Sequence, residues 1–418
     1  MSVKKKTLTV IAVIFWCHQC AAADMLTWDD CVKDARKGQQ ELVSAREKVA
    51  QAQADKVSVL SGALLHVSGS AAAGTSKTQG QAKAESRSYG VSGSQLLFDG
   101  FKTANDVAAA EKKIRSAEYA ASIVSSNVRL SLRMAFVDLV SAQENLSLVQ
   151  NILTRRKLNR DLVALQYEGG RAHKGSLLTA DANAAQAELD AVKAKRNLEL
   201  CQRRLLKAMG RSSFVPVVVS GVLSAGEIDR EKPTFEKIVE DTPLLSQLVV
   251  QKEAARLGIK SAQGSFFPKI YAEADAGRSD TTWPPERNNW SAGFRVSIPI
   301  FQGGENAAAL SKAKSLYVQT QAEEKSGKDG VIFTLAETWT QWQNAVDQAA
   351  VQEKFYEAAQ QRAVIIEAQY RSGLVTFNDW TIIEDDLVNN QKALLQAKTD
   401  ALLCEAAWLQ AKGETLDA

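Results

Sequence analysis

The chain has 418 residues, with 51 lysines and arginines against 48 aspartates and glutamates and a net charge of +3. That even balance excludes the electrostatic design of a nucleic-acid-binding protein. Beyond residue 23 the sequence holds Cys31, Cys201 and Cys404 and the histidines His66 and His173. These are too few for a disulfide scaffold, a zinc site or a histidine general base, and no cofactor is expected.

Residues 1–23 read as a secretory leader, with Lys4, Lys5 and Lys6, an apolar stretch from Leu8 to Trp16, and Ala21, Ala22 and Ala23 ahead of a start near Asp24. Cys17 and Cys20 are preceded by Ile14-Phe15-Trp16 and Cys17-His18-Gln19, which lack the small residues that lipidation needs. No later run reaches the roughly 18 apolar residues of a membrane-crossing helix, so any crossing falls to strands.

A helix is expected from Thr27 to about Ser61, rich in Ala, Glu, Gln and Lys. An alternating strand follows, with Leu65, Val67 and Gly69 opposed to His66, Ser68 and Ser70, then a polar loop over 75–88 and a second strand that ends near Phe98. From Gly100 the chain runs almost without a helix breaker to Tyr167, roughly 65 residues or about 100 Å of helix. After the turn at Gly169-Gly170 a return helix carries Ala184, Ala187, Ala191, Ala194, Leu198, Cys201 and Leu205 at heptad spacing, a coiled-coil seam of small residues. Between Arg211 and Pro233 lies a linker whose Val215-Pro216-Val217-Val218-Val219 core suits a short strand.

The same order then returns. One constant offset pairs Gly74 with Gly277, Gly90 with Gly293, Phe98 with Phe301, Gly100 with Gly303, Tyr167 with Tyr370, Cys201 with Cys404 and Gly210 with Gly413. The second seam is Leu387, Asn390, Leu394, Ala397, Ala401, Cys404 and Trp408. The expected organisation is a first repeat over 24–210, with a β-hairpin at 63–98 and a helical hairpin at 100–209. A linker at 211–233 leads to a second repeat over 234–413, with hairpins at 267–300 and 303–412, and a tail at 414–418.

In the fourth strand Trp290, Ala292, Phe294, Val296 and Ile298 alternate with Ser291, Gly293, Arg295 and Ser297. Strands with one apolar and one polar face suit lipid outside and water inside. Four such strands neither pack a sandwich nor close a barrel, so several chains must pool them.

Ser94-Gln95-Leu96-Leu97-Phe98-Asp99-Gly100 and Ile298-Pro299-Ile300-Phe301-Gln302-Gly303-Gly304 resemble the strand-exit motif of the TolC-like outer membrane efflux proteins. Tyr167-Glu168-Gly169-Gly170 and Tyr370-Arg371-Ser372-Gly373-Leu374 resemble that family's periplasmic helix turns, and Ala208-Met209-Gly210 its repeat ending. The resemblance implies a mainly α fold with a membrane β-barrel: a homotrimer whose strands form a twelve-stranded barrel continued by a helical tunnel into the periplasm. It implies a passive duct in the outer membrane of a Gram-negative bacterium. The implied partners are a periplasmic adaptor and an inner-membrane pump of the RND, ABC or MFS type. No phosphate loop of the GxxxxGK pattern occurs, in keeping with energy supplied by the pump.

The resemblance also assigns an entrance. Tyr370 matches a gate tyrosine and Asp379 a pore-facing carboxylate, three of which would form a ring that favours cations. Ser176 holds the position of Asp379 in the first hairpin, where Arg171, His173 and Lys174 make the turn basic. Val375 stands where some members carry a gating arginine, and Glu384, Asp385 and Asp386 offer either a partial second ring or a solvated helix face. Gly170, Ser372, Gly373 and Leu374 resemble the tips that receive the adaptor, while glycine at both turns equally suits a plain helix stop.

Two other readings compete. The same scaffold serves as an exit for type I protein secretion, and a structural coiled coil of the envelope explains the helices but not the two-faced strands. No nucleophile, base and orienting group recur together, so an enzyme is not expected.

Overall fold

A computed structural model of the chain describes residues 25–80, 82–224 and 231–417. The expected leader, with Cys17 and Cys20, lies outside them. Thr27 caps the first helix by a reciprocal pair of hydrogen bonds with Asp30, which fixes the start of α1 (Trp28–Gly38). The single helix expected to Ser61 is broken: Gln39 is extended, and α2 (Gln40–Ser61) restarts beyond it. The break has a packing cause, because the backbone of Gly38 meets that of Gly210, where an added Cβ would come within 2.3 Å.

Strands β2 (His66–Ser76) and β3 (Ala84–Phe98) form the first hairpin, and β5 (Lys269–Asp280) and β6 (Arg287–Ser297) the second; β1 is the dipeptide Met25–Leu26. The hairpins join through β3 and β5 into one antiparallel sheet of order β2-β3-β5-β6. The strands run further into both expected loops than the residue types suggested. In the chain alone the apolar face is bare: Trp290 is 80% exposed and Phe294 76%. Two long helices, α3 (Lys102–Glu168) and α7 (Glu305–Arg371), are 67 residues each, and their return partners α4 (Lys174–Ala208) and α8 (Phe377–Ala411) are 35 each. Every residue of the two heptad seams is buried or half-buried, so the small side chains set the close approach of α4 and α8 to their neighbours.

Beside this shaft β1 pairs in parallel with β4 (Val218–Val219), as the valine-rich linker led one to expect. Two glutamines hold the linker: Gln143 of α3 bonds both backbone groups of Val219 at 3.0 Å, and Gln202 of α4 donates to the Val217 carbonyl at 2.8 Å. The second repeat opens with α5 (Phe235–Ile238), one 3₁₀ turn and α6 (Pro243–Gly264), where Pro243 starts the helix. The tail is also structural. Leu416 is buried, its N–H donates to Ser125 Oγ at 3.2 Å, and Arg36 Nε donates to its carbonyl at 3.1 Å.

Among the described residues no helix is long and apolar enough to cross a membrane. The four two-faced strands are the elements suited to that task.

Candidate functional site: the hairpin turns of the helical shaft

Both long helices end in the same way. The N–H of Arg171 reaches back to the Gln166 carbonyl at 2.8 Å and that of Leu374 to the Gln369 carbonyl at 2.9 Å, with Gly170 and Gly373 at φ of +70° and +77°. These are Schellman stops, which explain both glycines as turn residues. Arg171, Ser372 and Leu374 are exposed around them. Arg171 has no ion-pair partner among the described residues.

Beyond the turns the two hairpins differ. In the first, His173 is the N-cap of α4: its Nδ1 accepts from the Ser176 N–H at 3.2 Å, and its Nε2 lies 3.2 Å from Ser176 Oγ. Ser176 is therefore buried against its own cap. In the second, Thr376 caps α8, accepting from the Asp379 N–H at 3.2 Å, while Asp379 Oδ2 accepts from Thr376 Oγ1 at 2.6 Å. Asp379 stays exposed, and its second carboxylate oxygen has no hydrogen bond among the described residues, so it can cap its helix and still present charge to solvent.

The four helices meet in one apolar knot at this end. Val163 of α3, Ala180 of α4, Tyr370 of α7 and Trp380 of α8 are its buried members, with Leu177, Val375 and Phe377 packed on them. Tyr370 and Trp380 stack with centroids 4.4 Å apart and 14° between their planes. The Tyr370 hydroxyl donates to Gln166 Oε1 at 2.6 Å, a bond from the second hairpin to the first. Burial pushes the phenol above its ordinary pKa, which keeps it a donor. Neither Gln166 nor Trp380 was singled out from the sequence. Trp380 is matched by Leu177 in the first repeat, so the repeat pattern hid it.

The acidic run is tied up in ion pairs, with Glu384 buried, Asp386 half-buried and Asp385 exposed. Glu384 is buried beside Arg155 at 3.3 Å, Asp385 pairs with Arg156, and Asp386 meets Arg362 at 2.5 Å. Each carboxylate is claimed by an arginine of α3 or α7, contacts that no local spacing could announce. Cys201 is buried and Cys404 half-buried, both free thiols as expected of small apolar seam residues, and Cys31 is a buried free thiol outside the seams.

The profile of the outer membrane efflux protein family matches residues 31–211 and again 235–414, one match per repeat. The chain belongs to that family. Among curated relatives, the outer membrane efflux protein BepC of Brucella suis is 26% identical over 334 residues, 78% of this chain and 71% of BepC. The alkaline protease secretion protein AprF of Pseudomonas aeruginosa is 22% identical over 207 residues, 47% of this chain and 41% of its own. A crystal structure of CusC, a transmembrane channel, superposes with a TM-score of 0.83 at 18% identity and 91% coverage of each chain. As a member of the family, the protein is an outer membrane channel with a periplasmic shaft and not an enzyme.

Proposed function

We propose that three copies of this chain form a passive duct for small molecules, taking them from an inner-membrane pump through a periplasmic adaptor. The observation that carries the reading is the Tyr370 knot, which gathers the ends of all four long helices and leaves the turns at Gly170 and Gly373 exposed around it. In this reading the knot and the Tyr370–Gln166 bond hold the entrance shut. Asp379 supplies a ring of three carboxylates that favours cations, and Arg171 reaches toward acidic groups of the adjacent subunit. Residues Gly170, Ser372, Gly373 and Leu374 meet the adaptor. Ser176, turned onto His173, serves its own helix cap and adds no charge to the pore.

The test is single-channel recording on the purified protein in planar bilayers, with drug susceptibility of a deletion strain carrying or lacking each candidate pump. The proposal requires a low-conductance resting state blocked by cations and a loss of resistance that depends on one pump. A high resting conductance with no block would overturn the gate. The likeness to AprF favours a second reading, an exit for secreted polypeptide, which a deletion strain that keeps its resistance but retains a secreted protease would support.

A further inference from the structure

The apolar face of the sheet carries a shallow, open groove of about 690 Å³ near its loop end. Two registers of outward-pointing side chains bound it. One runs across the sheet through Gly69, Val91, Ala276 and Trp290, and the next through Ala71, Tyr89, Arg278 and Asn288. The floor is thus glycine and alanine, while Trp290, Val91 and Tyr89 stand up as walls. The register between them points to the opposite face and places Gly90 opposite Gly277. A Cβ on Gly277 would lie 2.6 Å from the Tyr89 carbonyl oxygen, so the two backbones approach closely where neither glycine carries a side chain.

At the loop-side end of this apolar groove sits one cation. Arg278 Nε donates to Asn288 Oδ1 at 2.9 Å, which orients the guanidinium, and no carboxylate pairs with it among the described residues. Arg87 lies on the same face one register nearer the loops, opposite Asp280 and with an exposed contact of 3.5 Å to Glu85. Tyr89 and Trp290 flank the position, and amphipathic rings of this kind mark lipid interfaces. An unpaired arginine heading a groove with small-residue floor and aromatic walls matches a ligand with a phosphorylated head and a hydrocarbon chain.

We propose that this groove is a binding site for a phosphate-bearing lipid of the outer leaflet, its acyl chain over Gly69, Ala71 and Ala276 and its phosphate on Arg278 with Arg87 in support. The site depends on the outward face of the barrel and not on what the duct carries, so conductance of the same preparation reports separately on the transport reading. The full chain is purified in detergent and loaded with bis-phosphorylated lipid A or with its dephosphorylated form, and retained lipid is counted by native mass spectrometry. The wild type is expected to keep the phosphorylated form about fivefold better, the worth of one arginine at a lipid phosphate. Arg278→Gln is expected to abolish that preference, and Ala276→Trp, which fills the floor, to lower retention of both forms. Equal retention of the two lipids by the wild type, or an unchanged preference in Arg278→Gln, overturns the proposal. If either variant fails to assemble, the wild-type comparison still decides.

Discussion

Tyr370 bonds Gln166 across 2.6 Å while its ring lies on Trp380, so one side chain ties α7 to the other hairpin by its hydroxyl and to α8 by its face. The two ties separate by substitution. Tyr370→Phe keeps the stack and removes the bond, at a cost on the order of 1 kcal/mol, and is expected to raise resting conductance in single-channel recordings with little change in thermal stability. Trp380→Ala empties the buried centre of the knot at about 3–5 kcal/mol and should leave the entrance permanently open. Trp380→Phe should be milder than Trp380→Ala, because the indole N–H is buried without a partner among the described residues and its loss breaks no bond there.

The observed cap and the proposed pore charge of Asp379 can be parted by one pair of variants. Thr376→Ala and Asp379→Ala each destroy the reciprocal cap of α8, so both are expected to cost about 1 kcal/mol in thermal unfolding of the solubilised protein. Only Asp379→Ala removes the exposed carboxylate, so only that variant should relieve block by divalent cations. If Thr376→Ala relieves it equally, the carboxylate does no more than cap its helix.

What was legible in the sequence follows from the range of the interactions involved. The helix lengths, turns and seams depend on local propensity and on spacing that the duplication prints twice, and α3 and α7 come out equal in length as the constant offset requires. The break at Gln39 was hidden because its cause, the backbone of Gly210, lies far along the chain. The same holds for the tail, whose Leu416 is anchored by Arg36 and Ser125. At the helix turns, Tyr370 and Asp379 stand in recognisable motifs, whereas Gln166 and Trp380 matter only because two hairpins converge. The arginines that neutralise Glu384, Asp385 and Asp386 are likewise supplied by other helices.

Those three carboxylates are expected to differ in worth. Glu384 is buried and its removal leaves Arg155 without its counter-charge, although about a third of the arginine side chain still reaches water. Glu384→Gln should therefore cost on the order of 2 kcal/mol, below the range for a fully buried pair. Asp385 is half in solvent at the rim of its pair, so Asp385→Asn should fall within about 1 kcal/mol of the parent. Thermal unfolding of the two variants side by side checks the order, and equal losses would contradict it.

Cys31 ties stability to alkaline pH. Burial, and then the neighbouring Asp34 and Asp30, push its thiol from 9.0 up to about 11. A group with a folded value above its unfolded one holds its proton more tightly in the fold. Its contribution is full below 9.0 and is lost as pH rises through about 11. The denaturant midpoint of the wild type should therefore fall more steeply than that of Cys31→Ala across this window, and native Cys31 should resist alkylation at pH 8. A parallel fall in both proteins would remove the thiol as the cause.

Gly100 and Gly303 occupy equivalent places where strand passes into long helix, and both have positive φ, +71° and +59°. Their surroundings differ. A Cβ at Gly100 would lie 2.5 Å from Phe267 Cβ and 2.6 Å from the Gly264 carbonyl oxygen, so the corner is built on close contact between the start of α3 and the end of α6. At Gly303 an added Cβ meets nothing within 4 Å in the chain. Gly303→Ala is thus expected to cost only the left-handed backbone strain, about 1 kcal/mol, and to assemble with normal heat-modifiable migration. Gly100→Ala must also displace α6 from the sheet–helix junction, and is expected to abolish assembly at growth temperature. The comparison isolates packing from backbone strain, because the two positions share the strain, and similar behaviour of the two variants would place the whole effect in φ.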